Sequence, residues 1–269
     1  MELVLIDSGL VNKAGHSYTL AKLVSQAMAR RSLPHRIFGL RGLDPAIAEE
    51  IGAMAHFSRS LYESESMPWG EKARNAAARM FLRAPAIPPA PSEQRSFDIL
   101  NRAYERDLRA LPSDVWQPGN IVCVIAISQN QLVGLVRFLR SMPEAARPRV
   151  VCQLMFPPGY VPWGVTAKQG GEFYRRAFAM AAPLLGKSLF FTVENKAMQE
   201  AYRKGFGIST RLLPVPFGAS APLQPLEGRP RIGFFGDSKC DKGFHLLPEA
   251  IELCLNRGVD AAFLIQVQH

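Results

Sequence analysis

The sequence contains no CxxC pair and only four cysteines in 269 residues: Cys123, Cys152, Cys240 and Cys254. That spacing excludes a zinc ribbon and a disulfide framework; three of the four lie in apolar runs, so buried free thiols are expected. No uninterrupted apolar run approaches the roughly 18 to 20 residues of a membrane span. The opening MELVLIDSGL has no basic segment ahead of its apolar run. It reads as a first β-strand and not as a secretion signal, which makes a cytoplasmic location the expectation. The phosphate-binding patterns GxxxxGK[ST] and GxGxxG are both absent. Acidic residues are in short supply, 23 against 32 Lys and Arg, leaving a formal charge of +9.

What is present is the composition of a globular protein with a core, 48% hydrophobic and 20% charged. The positive charge is uneven: twelve Lys or Arg against four Asp or Glu between Arg137 and Arg211. Such a region is either a solvated face or a surface for an anionic partner, such as the inner face of a membrane. It lacks the interleaved aromatics of a single-strand platform, so no nucleic acid is expected.

Strand-like and helix-like runs alternate almost throughout. LVLID (3–7) precedes an amphipathic stretch over 15–31, and HRIFGL (35–40) is a second short strand. A helix is expected over 71–83, closed by the proline-rich APAIPPAPS (84–92), and another over 97–110. NIVCVIAI (120–127) is the most strand-like run, and Ser128 and Gln131 after it have the spacing of a capping box. Strands over 149–156, 188–193 and 210–215 alternate with helices near 172–186 and 195–204. The pattern predicts α/β architecture, a Rossmann-like doubly wound parallel sheet covered on both faces. Residues 1–213 form the expected amino-terminal domain. The segment 214–229, rich in proline and without periodicity, is the expected linker. Residues 230–269 hold one βαβ unit, the start of a second such domain.

That unit carries the strongest local signal, GFFGDSKCDKGFHLLPEAIELC from Gly233 to Cys254. A loop between strand and helix, with glycines and two lysines, offers backbone N–H groups and positive charge to an anion. Gly236, Ser238, Lys239, Lys242 and Gly243 are the candidates for a diphosphate site. An ordinary turn with solvent-facing lysines is the alternative.

Gly236, Lys242, Gly243, Phe244, Leu246, Leu247 and Ala250 match the spacing at which bacterial glycosyltransferases of the two-Rossmann-domain (GT-B) type, group 1 or family 4-like, open their second domain. The stretches FTVENKAMQEAYRKGFGISTRLLPVPFG and DSGLVNKAGHSYTLAKLV also resemble that group in layout. The resemblance implies transfer of a sugar from a nucleotide-sugar donor to a glycan or lipid-linked acceptor in envelope polysaccharide synthesis. It implies a retained anomeric configuration and no cofactor or metal. The five loop residues would face the donor diphosphate, while Gly15, His16 and Ser17 would form an acceptor-side or phosphate-facing loop. Two departures stand out. Asp237 replaces the group's arginine, leaving Lys239 as its substitute, and the group's paired glutamates would fall past residue 269. A truncated chain, inactive alone, is therefore expected. CQLMFPP offers only Gln153 and Met155 where the group carries a histidine, so no catalytic residue is assigned. A non-catalytic relative and a polyanion-binding protein are the alternatives.

Overall fold

The computed structural model describes residues 1–13, 16–60, 93–158, 167–215, 228–234 and 243–265. By internal packing the chain divides into two units, Met1–Gly218 and Ala219–His269. The division falls within the proline-rich segment.

In the first unit seven strands form one sheet: β1 (Leu3–Ile6), β2 (His35–Leu40), β3 (Ala53–Phe57), β4 (Ile121–Ile127), β5 (Arg149–Leu154), β6 (Leu189–Val193) and β7 (Arg211–Leu212). Every pairing is parallel, in the order β3-β2-β1-β4-β5-β6-β7. Parallel neighbours need crossovers, and helices supply them: α1 (His16–Arg30), α2 (Pro45–Ile51), α3 (Glu93–Arg109), α4 (Gln129–Ser141), α5 (Ala167–Ala181) and α6 (Lys196–Phe206). This is the Rossmann-like α/β fold that the alternating pattern predicts. The chain steps outward from β1 to β3, then returns to lay β4 against the free side of β1. The strand order reverses between those two strands.

Two cores follow from that winding. On one face, Leu20, Ala21, Ile47 and Ile51 of α1 and α2 pack with Leu5, Ile37 and Ile125 of the sheet. On the other, residues of α3 to α6 pack with Val4, Ile6, Val122 and Val124. The second core is the larger because four crossovers share it. Within it α4 is buried on nearly all sides, from Gln129 to Leu139, as a helix sandwiched between neighbours must be.

Helices α3 and α4 approach unusually closely. Asn101 of α3 is fully buried; its Nδ2 donates to the carbonyls of Phe97 and Gln129, and its Oδ1 accepts from the Gly134 N–H at 2.9 Å. A Cβ at Gly134 would lie 2.3 Å from the Asn101 carbonyl oxygen. Only a hydrogen fits there.

Several elements differ from the sequence-based expectation. The run 41–57 holds α2 and β3, which the apolar patterning alone does not reveal. The cues were there in the caps: Asp44 accepts from the Ala46 N–H, Pro45 fills the first helical position, and Gly52 ends the helix at a left-handed φ of 64°. Helix α5 begins at Ala167 and not near 172, and β7 keeps only two residues of the expected 210–215 strand. The helix expected over 71–83 and the 84–92 connection lie outside the described residues.

In the second unit β8 (Arg231–Phe234) pairs in parallel with β9 (Ala262–Ile265), joined through α7 (Leu247–Asn256). A single tight turn, Phe244–Leu246, precedes α7. Arg229 and Asp260 pair at 2.6 Å beside the strand ends.

Replacing Gly134 by Ala should destabilise the protein by about 3 kcal/mol, because the atom it strikes is backbone and cannot rotate away. Urea unfolding measures this; a loss below about 0.5 kcal/mol would mean that α3 and α4 can separate freely.

Candidate functional site

In open α/β sheets the crevice lies at the carboxyl ends of the strands flanking the reversal, because their outgoing connections part to opposite faces. Here those ends are Asp7–Ser8 after β1 and Ser128–Gln131 after β4. Every one of these six side chains is buried, with at most 5% of its surface exposed. A run of buried polar groups at a strand end is costly unless each group is hydrogen-bonded.

The bonds that exist hold the crevice in shape. The Asp7 Oδ1 accepts the Gly9 N–H at 2.8 Å, turning the chain off β1. The Ser128 hydroxyl accepts the Asn130 N–H and caps α4. Gln131 does not complete the expected capping box. Its Nε2 donates instead to the Ser8 hydroxyl at 2.7 Å, tying α4 to the end of β1. Just before this turn, Ala126 adopts a left-handed φ of 57° and the β4–β5 register shifts between Val124 and Ile127. A left-handed alanine inside a strand is strained, and such strain gathers at functional sites.

Other groups in the crevice have no partner among the described residues: the Asp7 Oδ2, both side-chain atoms of Gln129, and the Asn130 Oδ1. Burial pushes the Asp7 carboxyl up to about 6, against partial relief from the Gly9 N–H and the Ser17 hydroxyl. A carboxyl that accepts and releases a proton near neutrality, beside free amide donors and acceptors, is equipped for hydroxyl groups.

The residues singled out from sequence fall in separate places. His16 and Ser17 are the first two residues of α1. His16 is exposed, whereas Ser17 reaches the Asp7 carboxyl. Gly15 lies outside the described residues, as do Gly236, Ser238, Lys239 and Lys242. Gly243 is in the second unit, with a φ of 77° that strains any residue bearing a Cβ, although the space around it is open. Its conformation, and not close packing, calls for glycine. Lys13, in the loop after β1, pairs with Glu50 at 3.6 Å, and Lys22 with the same carboxylate at 2.6 Å; the two ammonium groups and the Tyr18 hydroxyl hold Glu50 down at about 2.

Sequence reasoning passed over Asp7, Ser8, Gln129 and Asn130. The signal available was polarity: an aspartate directly follows an apolar strand, and four consecutive polar residues follow another.

Among the described residues Cys123, Cys152 and Cys254 are free thiols, and burial pushes Cys123 up to about 11 and Cys152 well above the usual range. Both Cys123 and Cys152 therefore stay protonated near neutral pH, the form that is the poorer nucleophile. Among the described residues no group of three His, Cys, Asp or Glu side chains is placed to hold a metal ion, and no helix is long and apolar enough to cross a membrane. Part of the basic region is engaged internally. Arg147 donates to the Leu139 and Met142 carbonyls, Lys187 pairs with Glu144, and Arg203 and Lys204 share Glu200. No protein-family model matches the chain, and no curated protein is significantly similar to it.

The Asp7 carboxyl has a pH signature. A carboxyl whose folded pKa lies above its ordinary 3.8 favours the native state below that value, and the contribution is lost as pH rises through about 6. Asp7→Asn should therefore stabilise the protein at pH 8 by up to about 3 kcal/mol. The gain should shrink towards pH 4.5. Unfolding midpoints at the two pH values test this, and a pH-independent effect would mean that Asp7 ionises as freely as a surface carboxylate.

Proposed function

We propose that this chain belongs to a sugar-transferring enzyme, in which the first unit holds the hydroxyl-bearing acceptor and the second receives the nucleotide-sugar donor. The observation that carries the acceptor half is the crevice at the strand-order reversal, where the Asp7 carboxyl and the Gln129 and Asn130 amides are buried with polar atoms unpartnered. A hydroxyl placed there accepts from an amide and donates to the carboxylate, satisfying groups whose isolation otherwise costs about 1 to 3 kcal/mol each. With its proton taken up by Asp7, such a hydroxyl becomes a better nucleophile towards the anomeric carbon of a donor.

The donor half rests on the resemblance of the second unit. A parallel strand–loop–helix, with left-handed Gly243 ahead of α7, is the type of element that receives a diphosphate. Lys242 and Lys239 would neutralise the charge that develops on the leaving diphosphate, the largest single contribution a protein makes to such a step. The acceptor is a glycan or a lipid-linked glycan, and the setting is the cytoplasm, where nucleotide sugars are the glycosyl donors.

Calorimetric titration with nucleoside diphosphates tests the reading. Binding should be measurable, and Lys242→Ala should weaken it by about 1 to 3 kcal/mol, the scale of a charge-assisted hydrogen bond. Asp7→Asn should leave it unchanged. Equal affinity of the native and Lys242→Ala proteins would remove the loop from any donor site.

A further inference from the structure

The polar crevice has an apolar continuation. On β1, Leu3, Leu5 and Asp7 alternate onto the face that meets α1, and on α1, Val24, Leu20 and Ser17 are spaced four and three residues apart and share one side of the helix. Both walls change from apolar to polar in the same direction. They change in step, because α1 follows β1 and runs back along it, so that Leu3 and Leu5 of the strand and Leu20 and Val24 of the helix line one space. Below the polar end lies a cavity of about 280 Å³, lined by Leu5, Leu20, Val24, Cys123 and Ile125 among others. One of its few polar side chains is Gln153, which donates its amide N–H to the Leu213 carbonyl.

The position of the cavity follows from the winding. Helices α1 and α2 cover β1 to β3 on this face; among the described residues no helix packs there on β5 or β6. Cys123 of β4, Val151 of β5 and Phe190 of β6 are accordingly only half-buried. The volume is close to the small end of ligand pockets, which combine an apolar lining with a few placed polar groups. Apolar walls without partner atoms forfeit dispersion contacts, and water recovers little there.

We propose that this cleft binds an amphiphile, its aliphatic chain between α1 and β4 and its neutral, hydroxylated head at Asp7 and Ser17. The head is neutral because, among the described residues, the crevice supplies an acid and the nearby Lys13 and Lys22 both face Glu50. A phosphate head would meet the Asp7 carboxylate. The site lies wholly within the first unit and deepens the acceptor half of the sugar-transfer reading, because both use the Asp7 crevice; it makes no use of the donor loop.

The test is calorimetric titration of the full chain, at pH 8, with n-alkyl glucosides below their micelle concentrations, with glucose, and with octyl phosphate. Affinity should rise about fourfold per added methylene until the cavity is filled, then level off. Glucose should bind at least a hundredfold more weakly than octyl glucoside, and octyl phosphate at least tenfold more weakly. Val24→Trp, which fills the cleft from the α1 side, should weaken octyl glucoside at least tenfold; Cys123→Leu, a smaller change on the opposite wall, should shorten the chain length at which affinity levels off. Nucleoside diphosphate titration of the same variants should be unaltered, which separates failure here from failure of the donor site. Affinity independent of chain length, octyl phosphate binding as tightly as octyl glucoside, or wild-type affinity in both variants would overturn the proposal. So would a concentration-dependent dimer that Val24→Trp disrupts, since a second copy of the chain would then be the occupant.

Discussion

The first unit depends on how closely two helices can approach. With Asn101 bonded to both ends of the gap and Gly134 presenting only a hydrogen, α3 lies against α4 at backbone contact. That contact fixes the first turn of α4, because the Gln129 carbonyl is one of the groups that Asn101 holds. The first turn in turn sets Gln131 within reach of Ser8 and leaves the Gln129 and Asn130 side chains at the strand-order reversal. A buried asparagine with its polar atoms used is a strong positional device, since sliding either helix would strand several hydrogen-bonding groups at once.

The crevice therefore combines firm support with unmet polar demand. Asp7 is seated by one backbone bond and relieved by one hydroxyl, yet burial still outweighs both. Ala126 adds a strained backbone at the adjoining strand end. Structures generally dispense with such costs where nothing requires them, and the same residues replaced by apolar ones would give a more stable fold. Their concentration at one end of one sheet gives the crevice its interest.

Much of this was legible in the residues. The β-branched runs around Val4, Val122 and Val150 mark buried parallel strands, and the alternation with helices dictates crossovers, so the fold class follows directly. Short elements were hidden because their cues are not periodic. In α2 the cap residues Asp44, Pro45 and Gly52 define a helix too brief for an apolar stripe to stand out. Ser128 and Gln131 illustrate the harder problem: the spacing of a capping box is local, whereas the use of the Gln131 amide was decided by Ser8, more than a hundred residues away. The site was missed for the same reason. Asp7 and Gln129 are unremarkable singly, and only the strand order makes them neighbours. The phosphate-type loop drew the eye because its whole signal lies in one stretch of sequence.

The central place of β1 has a consequence for how the chain is made. Its neighbours are β2, about 30 residues on, and β4, whose pairing begins at Ile121; even the first backbone N–H anchored across that seam, Glu2 to the Asn120 side chain, spans 118 residues. At a synthesis rate of about 5 to 20 residues per second, β1 waits several seconds for β4 with one edge open. Non-local parallel pairing is also slow to form once all partners exist. Of the strands in this sheet β1 thus waits longest for its second neighbour, and has the longest exposure to wrong partners.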